Sequence, residues 1–378
     1  MKRRDLLFGT GALAGGAAVA GVLAGDAPAR PVQSSAVASP NLARGLKQFR
    51  MATSWPKDFP GLGQMPVRFA EALREMSDGA LEVKVYSAGE LVGATDVFDA
   101  CQTGAVDMYH SAEYYWQGKS KAFSFFTAVP NGMTAPEIMG WINHGGGQAL
   151  WDELSHRFGI QAFQAGNTGH QTAGWYKREI NSLDDFRGLK IRMPGLGGEV
   201  IRRLGGSAVR LAGGEIYQSL QSGAIDATEW VGPWNDLAFG FYREAPFYYA
   251  PGFHEPGAAL SVGINLARWR ALTPSEQATI RYACKAANDA SLGEYTLRNA
   301  VALKTLKETH GITPRLFSES IVAQVGRISE DVVADTASEG DLTGRIYQSW
   351  LAARNSMRRW TEISDGRFVA ARQAALGD

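Results

Sequence analysis

The sequence has no excess of charge of either sign, because 38 lysine and arginine residues balance 38 aspartate and glutamate residues. Without a net charge, the chain has no overall electrostatic field that would attract nucleic acid or a membrane surface. Cysteine is scarce, since Cys101 and Cys284 allow at most one disulfide and form no metal or redox motif. We expect both thiols to be packed singly in hydrophobic cores.

Catalytic and metal-binding motifs are missing as well. The six histidines are scattered, and no two stand at the H-x-H or H-x-x-x-H spacing of a metal site. The chain contains no G-x-S-x-G elbow, Walker lysine loop or EF-hand loop. The glycine-rich segment 195–200 follows a predicted strand, but Val200 stands where a dinucleotide fingerprint requires a small residue. A dinucleotide site therefore remains only an alternative.

No stretch beyond the amino terminus is apolar enough over its length to span a bilayer. At the amino terminus, an arginine pair precedes a weakly apolar, glycine- and alanine-rich run over residues 6–24 and a small-residue site at 27–29. This order predicts a signal peptide over residues 1–29, followed by a linker over residues 30–48. The arginine pair indicates the twin-arginine route, although the general secretory route stays open. We expect the mature protein in the periplasm.

An internal repeat is the main architectural signal. Residues 98–107, F-D-A-C-Q-T-G-A-V-D, are echoed at 217–226 by Y-Q-S-L-Q-S-G-A-I-D. Both copies predict a helix that ends at its glycine, Gly104 or Gly223, and is followed by a strand. At 378 residues the chain is also longer than one hydrophobic core usually covers. The repeat predicts two α/β lobes across a cleft, where strand ends would hold a ligand; a chance β-α-β likeness is the alternative.

Three further helical regions follow from the pattern. Residues 141–158 predict one helix. Thr273-Pro274-Ser275-Glu276 has the order of a helix start, and a long helix is predicted from there to His310, interrupted or kinked near Gly293. Residues 319–376 are mostly helical in pattern. Their apolar and aromatic positions, which include Trp350, Trp360 and Phe368, are expected to cover a lobe or a partner subunit.

Arg192 is the sharpest candidate for a ligand contact. It closes a short β-rich run ahead of a Pro-Gly break. An arginine at such a strand end can hold a carboxylate through two parallel hydrogen bonds. A structural ion pair with a carboxylate of the protein is the alternative.

Glu229 and Glu255 lie in aromatic and Gly/Pro-rich segments, E-W-V-G-P and P-G-F-H-E-P-G. Carboxylates enclosed by such walls must be paired, protonated or bound to a metal. Two carboxylates together with amide or main-chain oxygens form a hard-oxygen site that suits sodium, calcium or magnesium. The alternative is that each glutamate caps a helix or loop independently.

At these residues the chain resembles the substrate-binding subunits of tripartite ATP-independent periplasmic (TRAP) transporters, from about residue 49 to the final helices. The family-wide element is R-G-L-K-I-R, which ends at Arg192. The segments G-N-T-G-x-Q, T-E-W-V-G-P-x-N-D-L-A-F-G and P-G-x-x-E-P-G resemble the branch that binds 2-oxo or 2-hydroxy acids together with a cation. The resemblance implies substrate contacts from Gln171, Arg192 and Tyr115. It implies a bound cation, sodium or calcium, held by Glu229, the main chain of Trp230 and Glu255, and no organic cofactor.

The resemblance also implies an α/β periplasmic binding protein fold, with two lobes around a central ligand cleft, crossing hinge strands, a long connecting helix and C-terminal helices. We assign residues 49–170 to lobe 1, to which part of 262–310 returns, and 171–261 to lobe 2. Residues 262–310 would form a hinge strand and the long helix, and 311–378 a helical region. The branch includes homodimers tied together by a C-terminal helix, which would explain the aromatic residues of this tail.

These inferences predict a periplasmic solute-binding protein rather than an enzyme. It would capture a small monocarboxylate of the pyruvate or lactate type with a cation, close around it, and deliver it to TRAP membrane permease subunits. Two alternatives come from other classes. One is an exported oxidoreductase with a bound cofactor, which a twin-arginine signal would favour; the other is a ligand-sensing subunit of a membrane receptor.

Overall fold

The computed structural model describes residues 45–377 of the chain. The predicted signal peptide and most of the predicted linker lie outside the described residues. Within the described range, no helix combines the length and the apolar character needed to cross a bilayer.

The strands of the described chain form two five-stranded sheets. In chain order the strands are β1 (Lys47–Thr53), β2 (Leu81–Tyr86), β3 (Met108–Ser111), β4 (Ile160–Asn167), β5 (Gly174–Tyr176), β6 (Lys190–Arg192), β7 (Ser207–Val209), β8 (Ala227–Thr228), β9 (Phe247–Tyr249) and β10 (Ala259–Asn265). The first sheet has the order β2-β1-β3-β10-β4 and the second β7-β6-β8-β5-β9. Each sheet contains three parallel strands, and two further strands are added on one side, each antiparallel to the strand before it in the sheet.

Helices cover the sheets and form the C-terminal region. They are α1 (Met65–Met76), α2 (Val97–Thr103), α3 (Ala135–His144), α4 (Gly147–His156), α5 (Gly195–Arg203), α6 (Gly213–Ser222), α7 (Pro233–Phe239), α8 (Leu266–Arg270), α9 (Pro274–His310), α10 (Glu319–Asp335), α11 (Asp341–Thr361) and α12 (Arg367–Leu376). Together with the two sheets they confirm the predicted two-lobed α/β fold.

The sequence repeat corresponds to the same part of each lobe. Helix α2 ends at Gly104 with φ 81°, and α6 ends at Gly223 with φ 78°, so both glycines adopt the left-handed conformation. The following strands, β3 and β8, each lie at the centre of their own sheet and pair in parallel with β1 and β6, respectively. The predicted helix ends are therefore confirmed, and so is the presence of a strand after each helix.

The chain crosses between the sheets at two places. Residues 168–173 connect β4 in the first sheet to β5 in the second, and residues 250–258 connect β9 back to β10. The crossings lie side by side, because Gly252 N–H donates to the Gln171 carbonyl at 2.9 Å and Gln171 N–H to the Glu255 carbonyl at 3.1 Å. The predicted lobe change at residue 171 falls within the first crossing. The lobe limits themselves remain an interpretation.

The long helix α9 begins where the sequence predicts. Thr273 N–H donates to the Glu276 carboxylate at 2.7 Å, and Glu276 N–H donates to the Thr273 hydroxyl at 3.3 Å. The helix continues through Gly293 to His310, so the predicted interruption is wrong. A glycine lowers helix propensity by about 1 kcal/mol, which contacts along a 37-residue helix outweigh.

Helix α9 contacts both lobes. Arg68 of α1 donates to Glu294 at 2.7 Å, while the Tyr295 hydroxyl donates to Asn235 of α7 at 2.7 Å. Consecutive residues of one rigid helix are thus bonded to opposite sides of the cleft.

The single helix predicted over residues 141–158 is wrong, because the chain forms α3 and α4 there instead. Two glycines, Gly145 and Gly146, separate the two helices, and Gly146 has φ 85°. A left-handed residue ends the hydrogen-bond ladder of a right-handed helix, so helical periodicity on both sides could not continue across this point.

The thiols and the C-terminal aromatic residues show how the core is distributed. Cys101 and Cys284 are buried, unpaired, and belong to two different hydrophobic clusters, as predicted.

In α11, Trp350 is buried against Phe125, with ring centroids 5.4 Å apart. By contrast, Trp360 and Phe368 are 69% and 63% exposed. The first half of the C-terminal helical region therefore covers a lobe, whereas Trp360 and Phe368 near its end stay largely exposed within the described chain.

Candidate ligand and cation site

A small cavity lies where the crossings meet both lobes. Its lining residues are Trp55, Leu62, Tyr114, Tyr115, Thr168, Gln171, Trp230, Val231, Glu255 and Leu260. Four of the six predicted site residues are among them, and the other two, Arg192 and Glu229, lie directly behind Trp230. Wider surface grooves, including one beside the edge strand β2, contain none of the six.

The lobes meet over this cavity. Asn235 of α7 donates to the Pro60 carbonyl at 2.8 Å, and Phe59 stacks on Phe239 with ring centroids 4.3 Å apart. On the other side, Arg210 donates to the main-chain carbonyl of Tyr115 at 2.5 Å. These contacts join segments that connect to different sheets, so the cleft is closed.

Arg192 ends β6 and is almost completely buried, at 1% exposure. Its guanidinium donates to the carboxylate of Glu229 and, at 3.4 Å, to the carbonyl of Leu211. Its Nη2 lies 3.5 Å from the hydroxyl of Tyr115, and its Cζ lies 4.9 Å from the ring centroid of Trp230. Burial, the largest single effect, disfavours the charged guanidinium, but the charges of Glu229 and the other acidic neighbours together outweigh it and raise the pKa of Arg192, which stays cationic.

Glu229 comes to Arg192 because β6 and β8 are adjacent parallel strands whose carboxyl ends meet at one sheet edge. Arg192 is in register with Thr228, and the N–H of Glu229 donates to the Arg192 carbonyl at 3.2 Å. The ion pair given as the structural alternative for Arg192 is therefore present, and its partner is the residue predicted as a cation ligand.

Glu255 and Gln171 are held together by the paired crossings. The amide of Gln171 donates to Glu255 Oε2 at 2.8 Å and to the Thr168 hydroxyl at 3.2 Å. Both side chains are buried, and Oε1 of each has no hydrogen-bond partner among the described residues. Burial, and then repulsion from Glu229, raise the pKa of Glu255 well above its ordinary value.

His254 is the site residue that sequence reasoning missed. It is buried, and its Nε2 lies 3.1 Å from Glu229 Oε2. Glu229, His254 and Glu255 each offer one ligand atom, all within 4.8 Å of one another. The spacing between histidines does not indicate this cluster, because the metal-ligand partners of His254 are carboxylates rather than a second histidine. The available signal was the position of His254 beside Glu255 in P-G-F-H-E-P-G.

The donor set fits a hard cation. Two buried carboxylates face one arginine, so the cluster lacks one positive charge when both glutamates are ionised. The partnerless Oε1 atoms of Glu255 and Gln171 are carboxylate and amide oxygens, the ligand types that sodium and calcium prefer. The two glutamates thus share one cluster, and the alternative of two independent caps is wrong.

The glycine-rich first turn of α5 serves packing. A Cβ atom at Gly197 would lie 2.7 Å from Cβ of His254, and one at Gly198 would lie 2.5 Å from the carbonyl oxygen of Met193. Only glycine allows such close approach. Packing therefore explains the run of glycines, and no dinucleotide site is needed to account for it.

Comparison with known proteins assigns the chain to a family. The sequence model of the bacterial extracellular solute-binding proteins, family 7, matches residues 51–339. The chain belongs to this family. The monocarboxylate 2-oxoacid-binding periplasmic protein of Nostoc sp. (strain PCC 7120) is 40% identical over 319 residues, which are 84% of this chain and 87% of the relative.

Solved structures of TRAP periplasmic solute-binding proteins have the same fold. The protein from Pseudoalteromonas atlantica T6c, with bound sodium and pyruvate, is 36% identical with a TM-score of 0.83, covering 86% of this chain and 99% of its own. The protein from Colwellia psychrerythraea, with bound calcium and pyruvate, is 35% identical with a TM-score of 0.84, covering 86% and 100%. A third, from Bordetella bronchiseptica RB50, is a mixed-occupancy dimer with copurified calcium and picolinate in one site; it is 31% identical with a TM-score of 0.85, covering 88% and 98%.

These findings confirm the predicted TRAP resemblance and the solute-binding function. The family acts in transport, which agrees with a protein that binds without catalysing a reaction.

Proposed function

We propose that this protein captures a small 2-oxo or 2-hydroxy monocarboxylate together with sodium or calcium in the periplasm and delivers it to TRAP permease subunits. The observation that carries the proposal is the buried cluster of Arg192, Glu229 and Glu255 at the meeting point of both lobes and both crossings. Relatives with pyruvate and a cation bound support the same ligand class.

In this proposal the cation is held by Glu229, Glu255 and the main chain of Trp230. When bound, it would supply the positive charge that the two carboxylates require beyond Arg192. Gln171 keeps Glu255 in place through its amide N–H and presents its free Oε1 to the same region.

The carboxylate of the substrate is assigned to Arg192. Its Nη2 makes only a long contact with the Tyr115 hydroxyl, at 3.5 Å, and is therefore the donor most available to a ligand. Tyr115 and Gln171 line the cavity and would orient the remaining oxygens of the acid. The small, aromatic-walled cavity favours a short acid, because a longer chain would meet Trp55 and Trp230.

The proposal is tested on the mature protein by native mass spectrometry and calorimetry. The released ligand should be a small monocarboxylic acid, and a cation should accompany it. Pyruvate or lactate should bind the metal-stripped protein only after sodium or calcium is returned. Binding that is unaffected by removing every metal ion contradicts the cation part, and failure to bind any short 2-oxo or 2-hydroxy acid contradicts the ligand class.

A homodimer through the C-terminal helix is part of the proposal. The last helical region carries exposed apolar side chains, among them Trp360, Ile363, Phe368 and Leu376. An apolar stretch of this kind favours burial against a second subunit. The protein from Bordetella bronchiseptica is a dimer, which supports a dimeric state for this chain.

A further inference from the structure

His254 holds one oxygen of Glu229 while Arg192 holds the other. The histidine lies in the second crossing, and its Nε2 is 3.1 Å from Glu229 Oε2. An ionised carboxylate oxygen can only accept a hydrogen bond, so Nε2 must carry the proton and donate it. Glu229 is thus bonded at both oxygens by donors from two different elements, β6 and the crossing segment.

His254 is held in place at its Cβ atom and by the backbone on either side of it. Helix α5 packs against it so closely that a methyl group at Gly197 would lie 2.7 Å from Cβ of His254. The crossing itself is anchored, because Asn131 N–H donates to the Phe253 carbonyl at 2.8 Å and Gln171 N–H to the Glu255 carbonyl at 3.1 Å. The hydrogen bond to Glu229 therefore comes from a residue whose backbone and Cβ positions are fixed.

The two carboxylates of the cluster are held in different ways. Glu229 is bonded at both oxygens, whereas Glu255 receives one hydrogen bond from Gln171 and keeps Oε1 free of partners among the described residues. A carboxylate bonded at both oxygens loses little rotational freedom when it binds a cation, while the free oxygen of Glu255 can adapt to the ion.

We propose that His254 is a positioning residue that orients Glu229 for the cation. Hydrogen bonds to ligating carboxylates commonly set metal affinity in this way. The inference rests on the proposed cation site and adds to it the group that fixes one of its two carboxylates.

The test measures calcium affinity by calorimetry on the metal-stripped, full mature protein with no carboxylic acid present. His254→Phe keeps an aromatic ring and removes the donor, so it should weaken calcium binding roughly 10- to 100-fold. His254→Gln retains an N–H donor and should restore affinity to within about threefold of the wild type. Equal affinity in wild type and His254→Phe overturns the inference. An equal loss in His254→Phe and His254→Gln also overturns it, because the packing of the histidine rather than its hydrogen-bond donor would then be responsible.

Glu255→Gln separates failure of the inference from failure of the site. If Glu255→Gln loses calcium and His254→Phe does not, only the positioning role is wrong. If Glu255→Gln binds calcium as tightly as the wild type, the proposed cation site is wrong and the inference falls with it.

A measurement on the unmodified protein covers the case in which His254→Phe does not fold. Long-range proton–nitrogen NMR of nitrogen-15 histidine distinguishes a protonated from a bare Nε2. His254 should carry a proton on Nε2 in the metal-free protein. A bare Nε2 overturns the inference, since it could not donate to Glu229.

Discussion

The guanidinium of Arg192 and the carboxylate of Glu229 form an ion pair in which both side chains are almost completely excluded from solvent. The proposed anion contact and the proposed cation ligand are therefore one electrostatic unit. A charge left without its partner at such a site is costly, so the pair links ligand binding to the stability of the fold.

Arg192→Met should remove carboxylate binding and also destabilise the protein by about 3–5 kcal/mol, because it leaves Glu229 buried without its partner. Urea unfolding measures the stability, and the ligand-induced rise in melting temperature should disappear. The double variant Arg192→Met/Glu229→Gln should recover much of the stability without recovering binding. Wild-type affinity for the acid in either variant would show that Arg192 does not hold the carboxylate.

Glu255→Gln should have opposite effects with and without calcium. In the metal-free protein it removes repulsion from Glu229, so the melting temperature should stay level or rise. With calcium present, the variant should lose the stabilisation that the wild type gains. Elemental analysis after dialysis should find less bound metal, and an unchanged metal content would remove Glu255 from the site.

Glu113 should make the stability depend on pH. It is fully buried, accepts hydrogen bonds from the Tyr109 and Ser261 hydroxyls at 2.6 Å, and burial raises its pKa to about 7. Because the folded pKa lies above the unfolded value of 4.5, its contribution is complete below pH 4.5 and is lost as pH rises through 7. Urea unfolding of the wild type should show higher stability at pH 5.5 than at pH 8, by about 2 kcal/mol from this residue.

Glu113→Gln is the control for that pH effect. It should flatten the profile between pH 5.5 and pH 8 but not abolish it, because burial also raises the pKa of Asp236 to about 7. A profile as steep as that of the wild type would mean that Glu113 is already ionised in the folded protein.

Arg210→Ala should make the closed cleft open more readily. The variant loses the hydrogen bond to the Tyr115 carbonyl, which joins the lobes at an accessible position. We therefore expect the free energy of ligand binding to weaken by about 1 kcal/mol, which is about fivefold in affinity. Stopped-flow measurements should show faster dissociation of the acid with little change in association. Arg203→Ala is a matched control, because Arg203 pairs with Asp335 away from the cavity. An equal effect of both variants would point to general charge loss.

Trp360→Ser/Phe368→Ser should convert the proposed dimer to a monomer while the lobes stay folded, since both side chains are exposed in the single chain. Light scattering coupled to size-exclusion chromatography reports the mass. A wild-type monomer, or a variant that remains dimeric, contradicts the proposed role of the C-terminal helix.

The helix and strand predictions succeeded where short-range chemistry decides the conformation. Gly104 and Gly223 end their helices because glycine tolerates the left-handed conformation, and Thr273 with Glu276 forms the cap of α9. Helical periodicity failed at Gly146, where one left-handed residue divides two helices. It also failed at Gly293, where contacts with both lobes stabilise a continuous α9.

The candidate residues could be chosen from the sequence because their local settings are unusual. Arg192 follows a short strand at a Pro-Gly break, and both glutamates lie among aromatic residues, glycine and proline, so each is recognisable by itself. Only the tertiary structure decides that Arg192 pairs with Glu229, that Gln171 bonds to Glu255, and that His254 joins them. These contacts arise where parallel strand ends and two crossing segments meet, and they join residues up to 84 positions apart. Local sequence patterns determine what each segment presents, whereas the packing of the lobes determines which charges become partners.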